Sequence, residues 1–137
     1  MVKWMILVDS SVWVDFLRQT KNLKVQKLQQ ILELQIPFGI TGQIYQEVLQ
    51  GALSENDFRT LKAYFDTFKI YSPKHEKDTF AQAAEIYFSC KRKGITIRNT
   101  TDCLIAQIAR EHHLKLLHND KDFESIRMII RDLEFLE

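Results

Sequence analysis

Met5-Ile6-Leu7-Val8-Asp9-Ser10-Ser11-Val12-Trp13 is the stretch on which the fold turns. Residues 5–8 form a short apolar run, the pattern of a strand buried on both faces of a sheet. Asp9-Ser10-Ser11 ends it with good helix caps, and residues 12–17 can continue as a short helix. A buried strand feeding a helix is the opening half of a βαβ unit.

The alternation repeats outward from there. Residues 23–34 place Val25, Leu28, Ile31 and Leu32 on one helical face. Pro37-Phe38-Gly39-Ile40 predicts a second strand, Thr41 caps a helix reaching about Gln50, and Gly51 stops it. Ser54-Glu55-Asn56-Asp57 resembles a capping box with Asp at the fourth position. It opens a helix with Phe58, Leu61, Phe65 and Phe68 along one side, and Lys69-Ile70-Tyr71 follows as a third strand. Residues 76–93 form a longer helix, with Ala83, Ala84, Tyr87 and Phe88 expected inside and Gly94 past its end. Asn99-Thr100-Thr101-Asp102 opens another, with Leu104, Ile105, Ile108 and Ala109 facing inward. Lys115-Leu116-Leu117-His118 is a fourth strand, and Met128-Ile129-Ile130 is the candidate for a fifth. This order predicts an α/β protein, a mainly parallel sheet with helices on both faces, in one domain over residues 1–137.

Composition narrows the class. An apolar fraction of 45% and a charged fraction of 27% suit a soluble globular domain, long enough at 137 residues to need no staples. The two cysteines, Cys90 and Cys103, form neither a C-x-x-C pair nor a zinc pattern, which points to a reducing cytoplasm. The apolar start meets Asp9 too soon for a signal peptide, and no run approaches the ~20 apolar residues of a membrane span. A net charge of +1 supplies no global attraction for a polyanion, so a nucleic-acid partner requires a local patch.

In a parallel sheet, ligands bind beyond the carboxyl ends of the strands. Asp9 follows strand one, Asp120 and Asp122 follow strand four, and Asp102 begins the helix before strand four. Glu47, beside the Ile44/Val48 face of its helix, can look toward the same edge. Two like charges a few ångströms apart cost about 1 to 4 kcal/mol, so such a cluster stays ionised only around a cation. Hard oxygen ligands suit Mg²⁺ or Mn²⁺, which activate water for phosphodiester hydrolysis. Each acid also has a plainer reading. Asp9 caps the next helix, Asp102 completes a capping box with Asn99, Glu47 is an exposed helix residue, and Asp120 and Asp122 make a turn. The signal lies in their shared edge.

Four blocks carry a more specific signal: Ile6-Leu7-Val8-Asp9-Ser10-Ser11-Val12-Trp13; Tyr45-Gln46-Glu47-Val48 with Gln50-Gly51; Asn99-Thr100-Thr101-Asp102-Cys103-Leu104-Ile105-Ala106; and Leu117-His118-Asn119-Asp120-Lys121-Asp122-Phe123. In this order, over nearly the whole chain, they resemble the PIN-domain nucleases, and especially the VapC-type toxins of toxin–antitoxin pairs. The resemblance implies a PIN-like α/β/α sandwich and a metal-dependent endoribonuclease. Its metal-binding acids would be Asp9, Glu47, Asp102 and Asp120. Ser10 would help orient the metal's water shell, and Asp122 would support the ligands. His118 is a departure, standing where relatives carry Thr or Ser, and is expected to act from outside the ligand set.

The resemblance also implies an RNA substrate, transfer or ribosomal, a small antitoxin and a homodimer. Arg98, in the loop leading to Asp102, is the candidate phosphate contact; Lys91-Arg92-Lys93 read as a solvated helix end, and His112 and His113 as structural. Trp13, Phe16 and Leu17 are core or part of a groove for an antitoxin helix. A haloacid-dehalogenase-like site would need an acid at Ser11, and a receiver domain would need one near Tyr71-Ser72-Pro73. Two alternatives remain: a non-catalytic binding module, and a free-standing RNA-processing nuclease. The intact set of four acids opposes the first, and an adjacent antitoxin reading frame would decide the second.

Overall fold

The computed structural model describes residues 5–137; residues 1–4, the first half of the apolar start that precedes Asp9, lie outside the described residues. Five strands form one parallel sheet: β1 (Ile6–Val8), β2 (Gly39–Thr41), β3 (Lys69–Tyr71), β4 (Lys115–Leu117) and β5 (Glu134–Phe135). Their order is β3-β2-β1-β4-β5. The chain winds outward from β1 to β3, then returns to the other side of β1 as β4. The β1/β4 boundary, where Val8 pairs with Leu117, is therefore the topological switch point, the place where such sheets bind ligands.

Seven helices connect the strands among the described residues: α1 (Ser10–Leu17), α2 (Leu23–Glu33), α3 (Gly42–Leu49), α4 (Glu55–Phe65), α5 (Glu76–Arg92), α6 (Thr101–Glu111) and α7 (Lys121–Ile129). Helices α1 to α4 pack among themselves, as do α5 to α7. The first group connects strands running from β1 out to β3, the second connects strands running the opposite way, from β3 back to β4 and β5; with the right-handed crossovers such sheets follow, the two groups cover opposite faces and give the α/β/α sandwich. The central strands carry the core: Leu7, Val8, Ile40, Leu116 and Leu117 are fully buried.

The helix starts are built by side chains. Asn22, Thr41 and Ser54 accept from the backbone N–H of Val25, Ile44 and Asp57. Asp57 answers Ser54 by accepting from Leu53 N, one residue earlier than a standard capping box.

Two expectations are corrected. Met128 and Ile129 close α7, because Phe123 and Ile126 keep the helical period into the core; β5 is the two-residue edge strand further on. On α5 the buried side is Thr79, Ala83, Ile86 and Cys90, whereas Ala84, Tyr87 and Phe88 face outward with Phe80. Of the two readings open for Trp13, the structure shows core: the ring is fully buried and surrounded by Phe16, Phe38, Tyr64, Phe65 and Phe68.

Candidate metal centre

Three helix N-termini meet at the carboxyl edge beside the switch point, and each brings an acid. Asp9 caps α1, Asp120 caps α7, and Asp102 lies in the first turn of α6. The positive end of each helix dipole thus faces the site and favours carboxylates there.

Asp9 is buried, and its two oxygens do different things. Oδ2 accepts from Ser11 N at 3.1 Å and from Ser11 Oγ at 2.7 Å. Oδ1 is buried without a partner. The helix cap and the free ligand atom are two halves of one carboxylate. Burial, opposed by the Ser11 bonds and assisted by Glu47 and Asp120, raises its pKa to about 6.

Asp120 divides its oxygens similarly. Oδ1 accepts from Asp122 N at 2.9 Å, and the carboxylate lies beside the Asp102 carboxyl, one oxygen of each within 4.8 Å of the other. Asp102 is buried with Oδ2 unpartnered. Desolvation, then the charges of Asp9 and Asp120, push its pKa up to about 9, so near neutrality Asp102 holds a proton when no cation is present. One oxygen each from Asp102, Asp120 and Asp122 lies within 4.8 Å of the others.

Glu47 comes in from α3, half-buried. Ser10 Oγ donates to its Oε1 at 3.4 Å and Asn99 Nδ2 to its Oε2 at 3.5 Å. Its pKa is raised by burial first, with Asp120 contributing. Asp9, Glu47 and Asp102 thus each feel the charge of Asp120, which places the four acids expected from the sequence at one edge, with Asp102, Asp120 and Asp122 forming the tight oxygen group.

Asp122 is in the tightest oxygen group, yet its Oδ2 already accepts from Arg98 N at 3.1 Å and Asn99 N at 2.9 Å. It holds the loop that delivers Asn99 to Glu47. Arg98 Nε is 3.9 Å from Asp122 Oδ1, with its side chain 73% exposed. It shares an open cleft beside the acids with Thr96, Lys121 and Ser125.

His118 is buried. Its Nδ1 accepts from Asp120 N at 3.1 Å, and its Nε2 has no partner within hydrogen-bond distance. Burial first, then the charge of Lys24, lowers its pKa to about 4. His112, at the C-terminal end of α6 and so at the opposite end of that helix from Asp102, has Nε2 2.7 Å from the Ser72 carbonyl.

Two contributors were not singled out in the sequence. Ser11 Oγ, besides donating to Asp9, accepts from Asn119 N at 2.9 Å and so ties α1 to the β4–α7 turn. Asn99, weighed only as a cap, steadies Glu47 while its Oδ1 accepts from Thr101 N. The available signal was position: both sit within three residues of a candidate acid.

Comparison with known proteins agrees with this geometry. The PIN domain model matches residues 6–128. VapC ribonuclease Mb1587 of Mycobacterium bovis and ribonuclease VapC11 of Mycobacterium tuberculosis are each 34% identical over 126 residues, covering 91% of this chain and 93% of theirs. Among solved structures, VapBC2 from Rickettsia felis bound to a promoter DNA fragment superposes with a TM-score of 0.72 at 16% identity, covering 96% of this chain and 97% of that one. VapBC-1 from nontypeable Haemophilus influenzae gives 0.68 at 18% identity, covering 97% of each. Fold, block order and sequence identity agree, and the chain belongs to the PIN-domain family, with the VapC ribonucleases among its relatives.

Proposed function

We propose that this chain is a metal-dependent endoribonuclease of the VapC type, the toxin of a toxin–antitoxin pair, holding Mg²⁺ or Mn²⁺ through Asp9, Glu47, Asp102 and Asp120. The observation that carries it is a pair of buried carboxylate oxygens without partners, Asp9 Oδ1 and Asp102 Oδ2. A buried unpartnered oxygen costs about 1–3 kcal/mol, and a hard divalent cation is the ligand that relieves both. The donor set is oxygen throughout, which fits Mg²⁺ or Mn²⁺ and not a softer metal.

When bound, such a cation polarises a phosphodiester oxygen and acidifies a water. The chain's own residues prepare the site. Ser11 fixes the Asp9 rotamer, Ser10 and Asn99 hold Glu47 from both of its oxygens, and Asp122 anchors the loop carrying Asn99. Arg98 and Lys121, along the adjoining cleft, supply positive charge for the phosphates of an entering RNA strand.

Three features support the wider reading. A cleft between α1 and α2, lined by Phe16, Leu17, Val25 and Gln29, suits an antitoxin segment. The outward Phe80, Tyr87 and Phe88 of α5 suit a homodimer face. No helix among the described residues is long and apolar enough to cross a membrane, and both cysteines are free, consistent with the cytoplasm.

The test incubates purified chain with total RNA in Mg²⁺ or Mn²⁺ and sequences the new 5′ ends, wild type against Asp9→Asn. Cleavage at defined positions by the wild type alone is expected. Equal cleavage by Asp9→Asn, or none by either, sinks the proposal.

A further inference from the structure

His118 is built into the structure in a way that a strand-end packing residue would not require. Its ring lies between Phe123 and Phe135, with centroids at 5.1 and 4.4 Å. Arg127 covers the outer face of Phe135 at 3.9 Å. The ring is thus locked in place by α7 and by the C-terminal strand β5. The cage aims Nδ1 at the backbone N–H of Asp120, 3.1 Å away.

That bond completes the β4–α7 turn. Asn119 N donates to Ser11 Oγ, Asp120 N donates to His118 Nδ1, and Asp122 N donates to Asp120 Oδ1. The first and last of these fix the turn from either side. The middle one sets the peptide plane from which the Asp120 side chain departs. Because the backbone N–H is a donor, Nδ1 must carry the lone pair and Nε2 the proton. Nε2 then faces Glu124 Oε1 at 3.8 Å, beyond direct hydrogen-bond length, on a side chain that is 60% exposed.

We infer that His118 is a positioning residue of the metal site: through Nδ1, and not through Nε2 or its bulk, it holds the Asp120 backbone so that the Asp120 carboxylate meets Asp102. This rests on the metal-dependent reading above. A hydroxyl at this position would offer an acceptor on a shorter arm; the imidazole offers one on a longer arm, and the aromatic cage supplies the rigidity.

Two substitutions separate the atom from the ring. In His118→Asn, Oδ1 stands where Nδ1 stood, but most of the ring is lost from the cage. His118→Gln fills more of the cage and moves its acceptor one bond further out. The two effects therefore predict opposite rankings. His118→Asn is expected to have the lower melting temperature yet an Mn²⁺ affinity within about threefold of wild type. His118→Gln is expected to melt higher but to bind Mn²⁺ about 10–100-fold more weakly, the usual cost of losing a partner that orients a ligand. Calorimetric titration gives the affinities and thermal melting the stabilities.

An Mn²⁺ affinity that follows melting temperature, with His118→Asn the weaker binder, overturns the role. So does a wild-type affinity in His118→Gln, which decides the matter even if His118→Asn does not fold. Long-range ¹H–¹⁵N spectra of the metal-free wild type test the bond itself; a protonated Nδ1 overturns it. If the wild type binds no Mn²⁺ while the spectra show the expected tautomer, it is the metal reading that falls, and the role of His118 in it falls too.

Discussion

Replacing Asp102 by Asn should stabilise the metal-free protein. The wild-type carboxyl is buried among Asp9, Asp120 and Asp122, and its pKa is raised to about 9. Holding a proton at pH 7 on a group that loses it near 3.8 when unfolded costs roughly 4 kcal/mol of stability, of which relaxation of a site at the protein edge leaves about 2. An amide of the same shape carries no such cost. For a domain of this size the gain corresponds to on the order of 5–10 °C in melting temperature.

The sign with pH follows from the same shift. A carboxyl raised in the folded state binds more protons folded than unfolded between about pH 4 and 9, so its contribution to stability is lost as pH rises through that window. The advantage of Asp102→Asn must therefore widen from pH 5 to pH 8. Metal reverses the ranking: at a concentration 100 times its dissociation constant, a bound cation adds about 2.7 kcal/mol to the wild type and little to the variant. Scanning calorimetry in EDTA and in Mn²⁺, at pH 5, 6.5 and 8, reads all three effects. A variant less stable than wild type in EDTA at pH 8, or an advantage that does not change with pH, refutes the reasoning.

Asp122→Ala leaves the N–H groups of Arg98 and Asn99 without their acceptor, and urea denaturation should show a loss of about 2–4 kcal/mol. Asn99→Ala frees Glu47 from one of its two steadying bonds; cleavage should fall on the order of tenfold with the melting temperature within a few degrees of wild type. Gly39→Ala tests the sheet, since a Cβ there would stand 2.5 Å from the Tyr71 ring and 2.9 Å from the Lys69 carbonyl. It should cost about 1–3 kcal/mol, and suppression of that loss by Tyr71→Ala would identify the clash as its cause.

Much of this architecture is legible in the residues because local signals and core placement agree. Lys69-Ile70-Tyr71 forms β3 over the expected residues, and Thr41 and Ser54 cap the helices they were expected to cap. The failures have physical causes. Three apolar residues at 128–130 are too few to distinguish a strand from a helix end, and the period set by Phe123 and Ile126 prevails. β5 pairs along a single edge and needs little apolar signal, so Glu134 tolerates exposure there. On α5 the richest aromatic stripe is the outward one, while Thr79 and Cys90 complete the buried side. An apolar stripe shows that a surface is to be covered, not that its own chain covers it. Ser11 and Asn99 were not legible as contributors, because their bonds to Asp9 and Glu47 depend on which rotamers the fold brings together.

The plainer readings of these acids turn out to be compatible with the chemical one, and the reason lies in individual atoms. Asp9 and Asp120 each commit one oxygen to a helix start. Capping requires only an acceptor, which an amide oxygen supplies as well as a carboxylate. The remaining oxygen of Asp9 has nothing to satisfy it in the fold, and Asp102 also keeps one such atom. Asn at position 9 should therefore preserve the start of α1 while removing charge from the site, whereas Ala should lose both. Half of each capping carboxylate is structural, and the rest of the cluster is costly to the metal-free fold. A cluster retained at that cost by a chain whose helices would cap equally well with Asn is explained by what binds there, not by what it stabilises.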